Sequence, residues 1–167
     1  MNTRRRQHLK AAYCDYLQAP RPELDQSVTL AAIEGFQYFQ RRFPQSDKVS
    51  QSQELIKELQ DNLVEKSYLS ARLYYDLKQY RAAIVALSNS LKEFPETKFR
   101  EELLFLKLES SYLYAVNSIS EKQFERYQDT LDEYYSFIEE FPESAFTKEI
   151  EKIYRSTADI LKIDESN

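Results

Sequence analysis

Glycine is almost missing from this sequence: Gly35 stands alone in 167 residues. Hairpin turns depend on residues that enter φ > 0 at little cost, so a β-rich fold has no means of turning its chain here. Proline is also sparse, at five residues, and tryptophan does not occur. Cys14 is the single cysteine, which excludes an intrachain disulfide and a cysteine-based metal site. Its place beside Ala11-Ala12-Tyr13 reads as that of a small buried hydrophobe, since the bulky Tyr13 and the charged segment before it do not suit a lipid-modified cysteine. His8 is the only histidine, and without a second imidazole or carboxylates at ligand spacing it is no evidence of a metal site or a catalytic base; no His-based nucleophile relay or glycine-rich phosphate loop can be assembled. No cofactor is expected. Long apolar runs are missing as well. Nothing approaches the roughly 20 residues of a membrane-spanning helix. No apolar run follows Arg4, Arg5, Arg6 and Lys10 that would make them the start of a secretory signal. The net charge of −5 gives no general nucleic-acid-binding surface.

What the chain has is helix-forming sequence, with 13 Tyr and 10 Phe. Bulky rings at helical spacing fill the gaps between stacked helices. Three short segments repeat: Phe43-Pro44-Gln45-Ser46, Phe94-Pro95-Glu96-Thr97 and Phe141-Pro142-Glu143-Ser144, with prolines 51 and 47 residues apart. Each proline drives the Phe before it out of the α region and ends a helix, and the following Ser or Thr is placed to cap the next one. Before each turn the residues Ile33/Phe36/Phe39, Ile84/Leu87/Ser90 and Leu131/Tyr134/Phe137 stripe one helix face. Ala32, Ala83 and Thr130 supply a small residue twelve positions before each proline. In this register the chain resembles a tetratricopeptide repeat, best in the middle copy with Ala71, Tyr74 and Tyr80, although the standard repeat is shorter, at about 34 residues.

The predicted fold class is all-α, a tetratricopeptide-like α-solenoid of about three helix pairs with a C-terminal capping helix. One domain is expected over 1–167, with repeats at about 3–46, 47–97 and 98–144 and the capping helix at 144–163. Predicted helices cover about 3–18, 26–43 (Asp25 its candidate N-cap), 46–77, 79–94, 98–118, 120–141 and 144–163. The third is long, about 30 residues, because no Gly or Pro interrupts it, and Ile56, Leu59, Leu63, Ser70, Tyr74 and Leu77 keep a three-four rhythm. The fifth is apolar nearly all round and belongs mid-stack. Phe124, Tyr127, Leu131, Tyr134, Ile138 and Phe141 stripe the sixth. The last carries Phe146, Ile150, Ile153 and Ile160 on one side, with Lys148, Glu151, Lys152, Arg155 and Asp159 elsewhere, as a terminal helix of a repeat stack requires. The tail 164–167 is expected to fray.

Paired carboxylates at Glu101-Glu102, Asp132-Glu133 and Glu139-Glu140 lie beside apolar stripes, which fits solvated helix faces better than a catalytic cleft. No enzyme is predicted. The candidate partner-binding residues are Lys66, Tyr68, Arg72, Tyr75, Lys78 and Arg81, where basic and aromatic side chains interleave. Tyr and Arg supply much of the energy of protein interfaces, whereas core Tyr flanked by solvated cations gives the same pattern. Both readings stand at this point.

Longer segments resemble one family. Pro22-Glu23-Leu24-Asp25-Gln26, Ala31-Ala32-Ile33-Glu34-Gly35-Phe36-Gln37, Leu73-Tyr74-Tyr75, Tyr80-Arg81-Ala82-Ala83 and Ala115-Val116-Asn117-Ser118-Ile119 are similar to the outer-membrane assembly lipoprotein family BamD, in its Bacteroidetes-like form. The resemblance covers most of residues 10–155 and corresponds to that family's last three repeats and closing helix. It implies a scaffold on the periplasmic face of the outer membrane that docks on the POTRA region of the barrel-inserting subunit BamA. The membrane would be reached only through a lipid anchor absent from this chain, which is therefore expected to be part of a longer protein. Ala86 stands where the family has a POTRA-contacting Arg, so that contact is not carried over; Arg81 and Lys92 are the nearby cations. The alternative is a repeat module, periplasmic or cytosolic, that captures short peptides in its concave groove.

Overall fold

A computed structural model describes residues 3–162, with side chains from residue 6 onward. The side chains of Arg4 and Arg5, the last position of the expected capping helix and the tail 164–167 lie outside the described residues. Seven helices and no strand occur among those described: α1 (Thr3–Gln18), α2 (Ser27–Arg42), α3 (Val49–Asp76), α4 (Tyr80–Glu93), α5 (Arg100–Val116), α6 (Ser120–Glu140) and α7 (Thr147–Leu161). The fold is all-α with tetratricopeptide-like helix pairing, as the repeat predicts. Contacts gather into two compact units, residues 1–67 and 68–167, and the division falls inside α3.

The three Phe-Pro turns are the same structure three times. Phe43, Phe94 and Phe141 close α2, α4 and α6 with φ/ψ of −135°/58°, −128°/73° and −128°/69°. The proline ring forces each of them out of the helical region. The hydroxyl that follows acts one step earlier than expected. Ser46, Thr97 and Ser144 accept the backbone N–H two residues on, at 3.2, 3.2 and 3.0 Å. Their carbonyls accept from Val49, Arg100 and Thr147 at 3.1, 3.1 and 3.3 Å. Each hydroxyl therefore holds a lead-in turn, and the helix proper begins three residues later. Asp25 behaves alike, accepting the Ser27 backbone N–H at 3.0 Å ahead of α2.

In unit 1, α1 packs on α2 through a core of Ala12, Ala32, Ile33, Phe36, Ile56 and Leu59. Gly35 permits a close approach: a Cβ there would lie 2.9 Å from the Ala12 Cβ. Cys14, expected to be buried, is exposed. Two residues along a helix turn the side chain about 200°, so when Ala12 faces α2, Cys14 faces solvent. The Tyr16 hydroxyl donates to Glu58 at 2.9 Å, and Gln26, itself buried, donates to the Arg21 and Leu24 carbonyls at 2.9 and 3.1 Å, which ties down the Pro20–Pro22 loop.

In unit 2, α5 lies among α4, α6 and α7. Its Leu103, Phe105, Leu106 and Leu108 share a core with Ala71, Ala83, Leu87, Phe137, Ile150 and Ile153. Each fully buried Leu contributes roughly 1.5–3 kcal/mol. Phe99 and Phe146, each just before a helix, repeat one contact: Phe99 stacks on Tyr68 at 4.1 Å and Phe146 on Phe105 at 4.2 Å, with rings nearly parallel. Among the α7 residues, Ile150 and Ile153 are buried and Lys148, Glu151, Lys152, Arg155 and Asp159 are exposed, so α7 has the expected one-sided character.

The stripes differ from expectation near helix ends. In α3 the buried face runs through Ile56 and Leu59 and then Tyr68 and Ala71, whereas Ser70, Tyr74 and Leu77 are exposed. This half of α3 is apolar on several sides, so its rhythm fits more than one face, and packing against α5 selects the Tyr68 side. Phe124 and Ile160 are also exposed, at 60% and 49%. Both lie within about a turn of a helix end.

Candidate protein-docking surface

The interleaved basic and aromatic residues divide by what they touch. Lys66, in unit 1, donates to the Glu23 carbonyl at 2.8 Å. The other five lie in unit 2. Tyr68 is 6% exposed, and its hydroxyl donates to Glu102 Oε1 at 2.8 Å. Arg72 Nη1 donates both to that hydroxyl, at 2.6 Å, and to the same carboxylate oxygen, at 2.8 Å. Burial pushes the Tyr68 hydroxyl above its ordinary range. Tyr75 donates to Glu109 Oε2 at 2.6 Å, and burial, reinforced by that carboxylate, pushes it further up. Tyr68 and Tyr75 thus commit their hydroxyls to α5, and Arg72, itself exposed, divides its guanidinium between Glu102 of α5 and Tyr68 and Asp76 of its own helix.

Both Tyr–Glu pairs join residues 34 apart, the standard tetratricopeptide length. The step from α3 to α5 therefore keeps the tetratricopeptide period although Pro44 and Pro95 are 51 residues apart, and the residues added in that interval belong to the N-terminal stretch of α3.

The paired carboxylates are likewise more engaged than a solvated face implies. Glu101 accepts from the Ser144 hydroxyl at 2.6 Å, Glu133 meets Lys107 at 2.7 Å, and Glu140 takes Arg100 in a two-point contact that includes Nη2–Oε2 at 2.9 Å. They are links between helices. A sequence cannot show such links until helices are aligned on each other.

Lys78 and Arg81 are different, because both are exposed and both line one groove. Lys78 ends α3 in the left-handed conformation, φ 58°. Its N–H reaches the Tyr75 carbonyl at 2.8 Å and the Gln79 N–H reaches Tyr74 at 2.9 Å, the paired bonds of a Schellman C-cap. The chain then turns into α4, so that Lys78 and Arg81 stand at the rim of a groove of about 760 Å³. Its floor is the α4 face of Ala82, Val85 and Ala86, small side chains that leave the space open, and Tyr74 and Tyr114 form walls. Helical spacing puts Asn89 on the same face, one turn beyond Ala86. This α4 face was missed in the sequence; its signal is a run of Ala and Val at i, i+3, i+4 next to an exposed Asn. A second cavity of about 310 Å³ shares Arg81, Val85 and Tyr114 and adds Asp129, Asp132 and Glu133. Arg126 sits over the Tyr114 ring, 3.9 Å from its centroid, which fixes the shared wall.

The profile of YfiO, an outer membrane lipoprotein family, matches residues 7–126, more than half of the chain. The chain belongs to the YfiO family. This is the BamD-like group that the sequence segments resemble, a family of outer membrane assembly lipoproteins. No curated protein matches the chain. The YfiO match covers α1 from residue 7, α2 to α5 and the start of α6, and with them all six candidate residues and the groove beside Lys78; most of α6, the third Phe-Pro turn and α7 lie beyond it. Among the described residues no helix is long and apolar enough to cross a membrane.

Proposed function

We propose that this chain is a non-catalytic scaffold of outer-membrane β-barrel assembly. It carries the repeats that correspond to the C-terminal part of a Bacteroidetes-like BamD protein and docks on the POTRA region of a BamA-like subunit at the periplasmic face of the outer membrane. The YfiO match over residues 7–126 carries this reading. The internal bonding of α3 to α5 supports it, because a scaffold that presents a surface needs side chains held in place before the partner arrives. Of the six candidate residues, Lys78 and Arg81 are the two that combine exposure with positive charge at a groove rim. Binding of this chain to immobilised POTRA domains from its own organism tests the proposal. Saturable binding at micromolar concentration is the expected result, and no binding up to about 50 µM, weaker than roughly 6 kcal/mol of association energy, would overturn it.

A further inference from the structure

Turns between helices ordinarily keep polar side chains in water and apolar ones against the fold. One edge of unit 2 reverses this. The α3–α4 and α5–α6 turns stand together there, since Lys78 and Asn117 line the same groove. Leu73 and Leu77 at the end of α3 are exposed, and so are Val116, Ile119 and Phe124 around the α5–α6 turn, with Leu77 at 58% and Ile119 at 64%. Single exposed apolar residues are common, but a group of them on one edge marks a contact surface. The edge also departs from the charge of the whole chain, which is −5. Lys78, Arg81, Lys122 and Arg126 stand there against Glu121 and Glu125, while Asp76 is taken up by Arg72 at 3.8 Å. The next carboxylates, Asp129 and Asp132, lie one and two turns deeper along α6.

The backbone at these turns is already satisfied. The N–H groups of Leu77, Gln79 and Lys78 donate to the Leu73, Tyr74 and Tyr75 carbonyls at 3.0, 2.9 and 2.8 Å. At the end of α5 the Asn117 amide donates to the Leu113 carbonyl at 2.7 Å, the Ser118 hydroxyl to Tyr114, and Gln123 to Val116 at 3.2 Å. The last carbonyls of a helix otherwise depend on water, so ends capped in this way can leave water at small cost. That is the condition an apolar medium sets. The two tips stand either side of an open groove, and a fluid surface admits each of them separately. We infer that this edge rests on a phospholipid bilayer surface, with Leu73, Leu77, Ile119 and Phe124 among the upper acyl chains and Lys78 and Lys122 reaching the phosphates. This goes beyond the scaffold reading and does not depend on it, although a family of outer membrane lipoproteins works beside such a surface.

An environment-sensitive fluorophore on a single cysteine tests it. In a Cys14→Ser background, Leu77→Cys and Ile119→Cys place the label at the two tips. Glu96→Cys, exposed in the second Phe-Pro turn, places it at the other end of α5, about 25 Å away. The probes are vesicles of phosphatidylcholine and phosphatidylethanolamine, and vesicles that also contain phosphatidylglycerol. Blue-shifted, brighter emission at both tips and none at Glu96→Cys is expected with each, half-saturated at or below about 1 mM lipid and strengthened by phosphatidylglycerol. Without any label, Leu77→Asp with Ile119→Asp, both at exposed positions, lowers vesicle co-sedimentation roughly tenfold or more. Far-UV circular dichroism establishes that each variant is folded. No shift up to about 10 mM lipid, an equal shift at Glu96→Cys, or unchanged co-sedimentation of the Asp variant overturns the inference. So does a tip shift seen only with phosphatidylglycerol, which is attraction by charge alone, or one that grows with protein concentration without vesicles, which marks a second copy as the occupant. POTRA binding measured on the same variants reports separately on the scaffold reading.

Discussion

Replacing Gly35 by alanine sets two magnitudes against each other. Alanine is favoured over glycine inside a helix by about 1 kcal/mol, so Gly35→Ala would stabilise an isolated α2. In the fold, the new Cβ would meet the Ala12 Cβ at 2.9 Å and the Ala12 Cα at 3.3 Å. Neither atom is at the end of a flexible side chain, so relief requires α1 and α2 to move apart. Ala12, Ala32 and Phe36 are at most 2% exposed, and separation would loosen the packing of all three. Overpacking of this kind costs about 1–3 kcal/mol, which outweighs the propensity gain and leaves a net loss near 1 kcal/mol. Urea unfolding followed by circular dichroism measures it. Ala12→Gly alone is destabilising through helix propensity, yet in the Gly35→Ala background it removes the shorter contact. A double-mutant cycle should therefore show a favourable coupling of about 1 kcal/mol. If Gly35→Ala raised stability by the full propensity increment, or if the two substitutions were additive, the close approach would not be what selects glycine.

Three other outcomes are expected. Tyr75→Phe removes the bond to Glu109 and lowers stability by about 1–2 kcal/mol at neutral pH. Because the folded-state pKa of Tyr75 is raised, its contribution is complete below the unfolded value near 10 and is lost as pH rises beyond it, so wild type and Tyr75→Phe converge in alkaline thermal melts. Lys78→Gly relieves a left-handed residue and raises stability by about 0.5–1 kcal/mol in chemical denaturation. Ser144→Ala removes the acceptor for the Phe146 N–H and the donor to Glu101, lowering stability by about 1–2 kcal/mol in the same assay, with Ser144→Thr close to wild type.

The sequence was most informative where local chemistry decides the outcome. Proline acts on its immediate neighbour, so the three turns and the helix boundaries beside them were legible, and Ala32, Ala83 and Thr130 are almost fully buried in the slots their register assigns. Faces were harder. In α3, Leu69, Leu73, Tyr74, Tyr75 and Leu77 surround the helix, and only its contact with α5 decides that Tyr68 and Ala71 go inward. The candidate residues mixed two roles for the same reason. Tyr68 and Arg72 are partners of Glu102, and Tyr75 of Glu109, whereas Lys78 and Arg81 border open space. The regular spacing of the two Tyr–Glu pairs was available beforehand to anyone who asked which acidic residues lie one repeat away.

The three Phe-Pro turns share backbone angles to within 15° and the same hydroxyl bond, although one carries Gln45 where the others carry Glu. A joint of such fixed form is a natural point for recombination. Segments between joints can lengthen or shorten by whole helical turns without disturbing the corner, and the added turns at the start of α3 have the character of such an insertion. Chimeras that exchange residues 43–46, 94–97 and 141–144 among themselves should therefore fold, while cuts placed inside the helices should not.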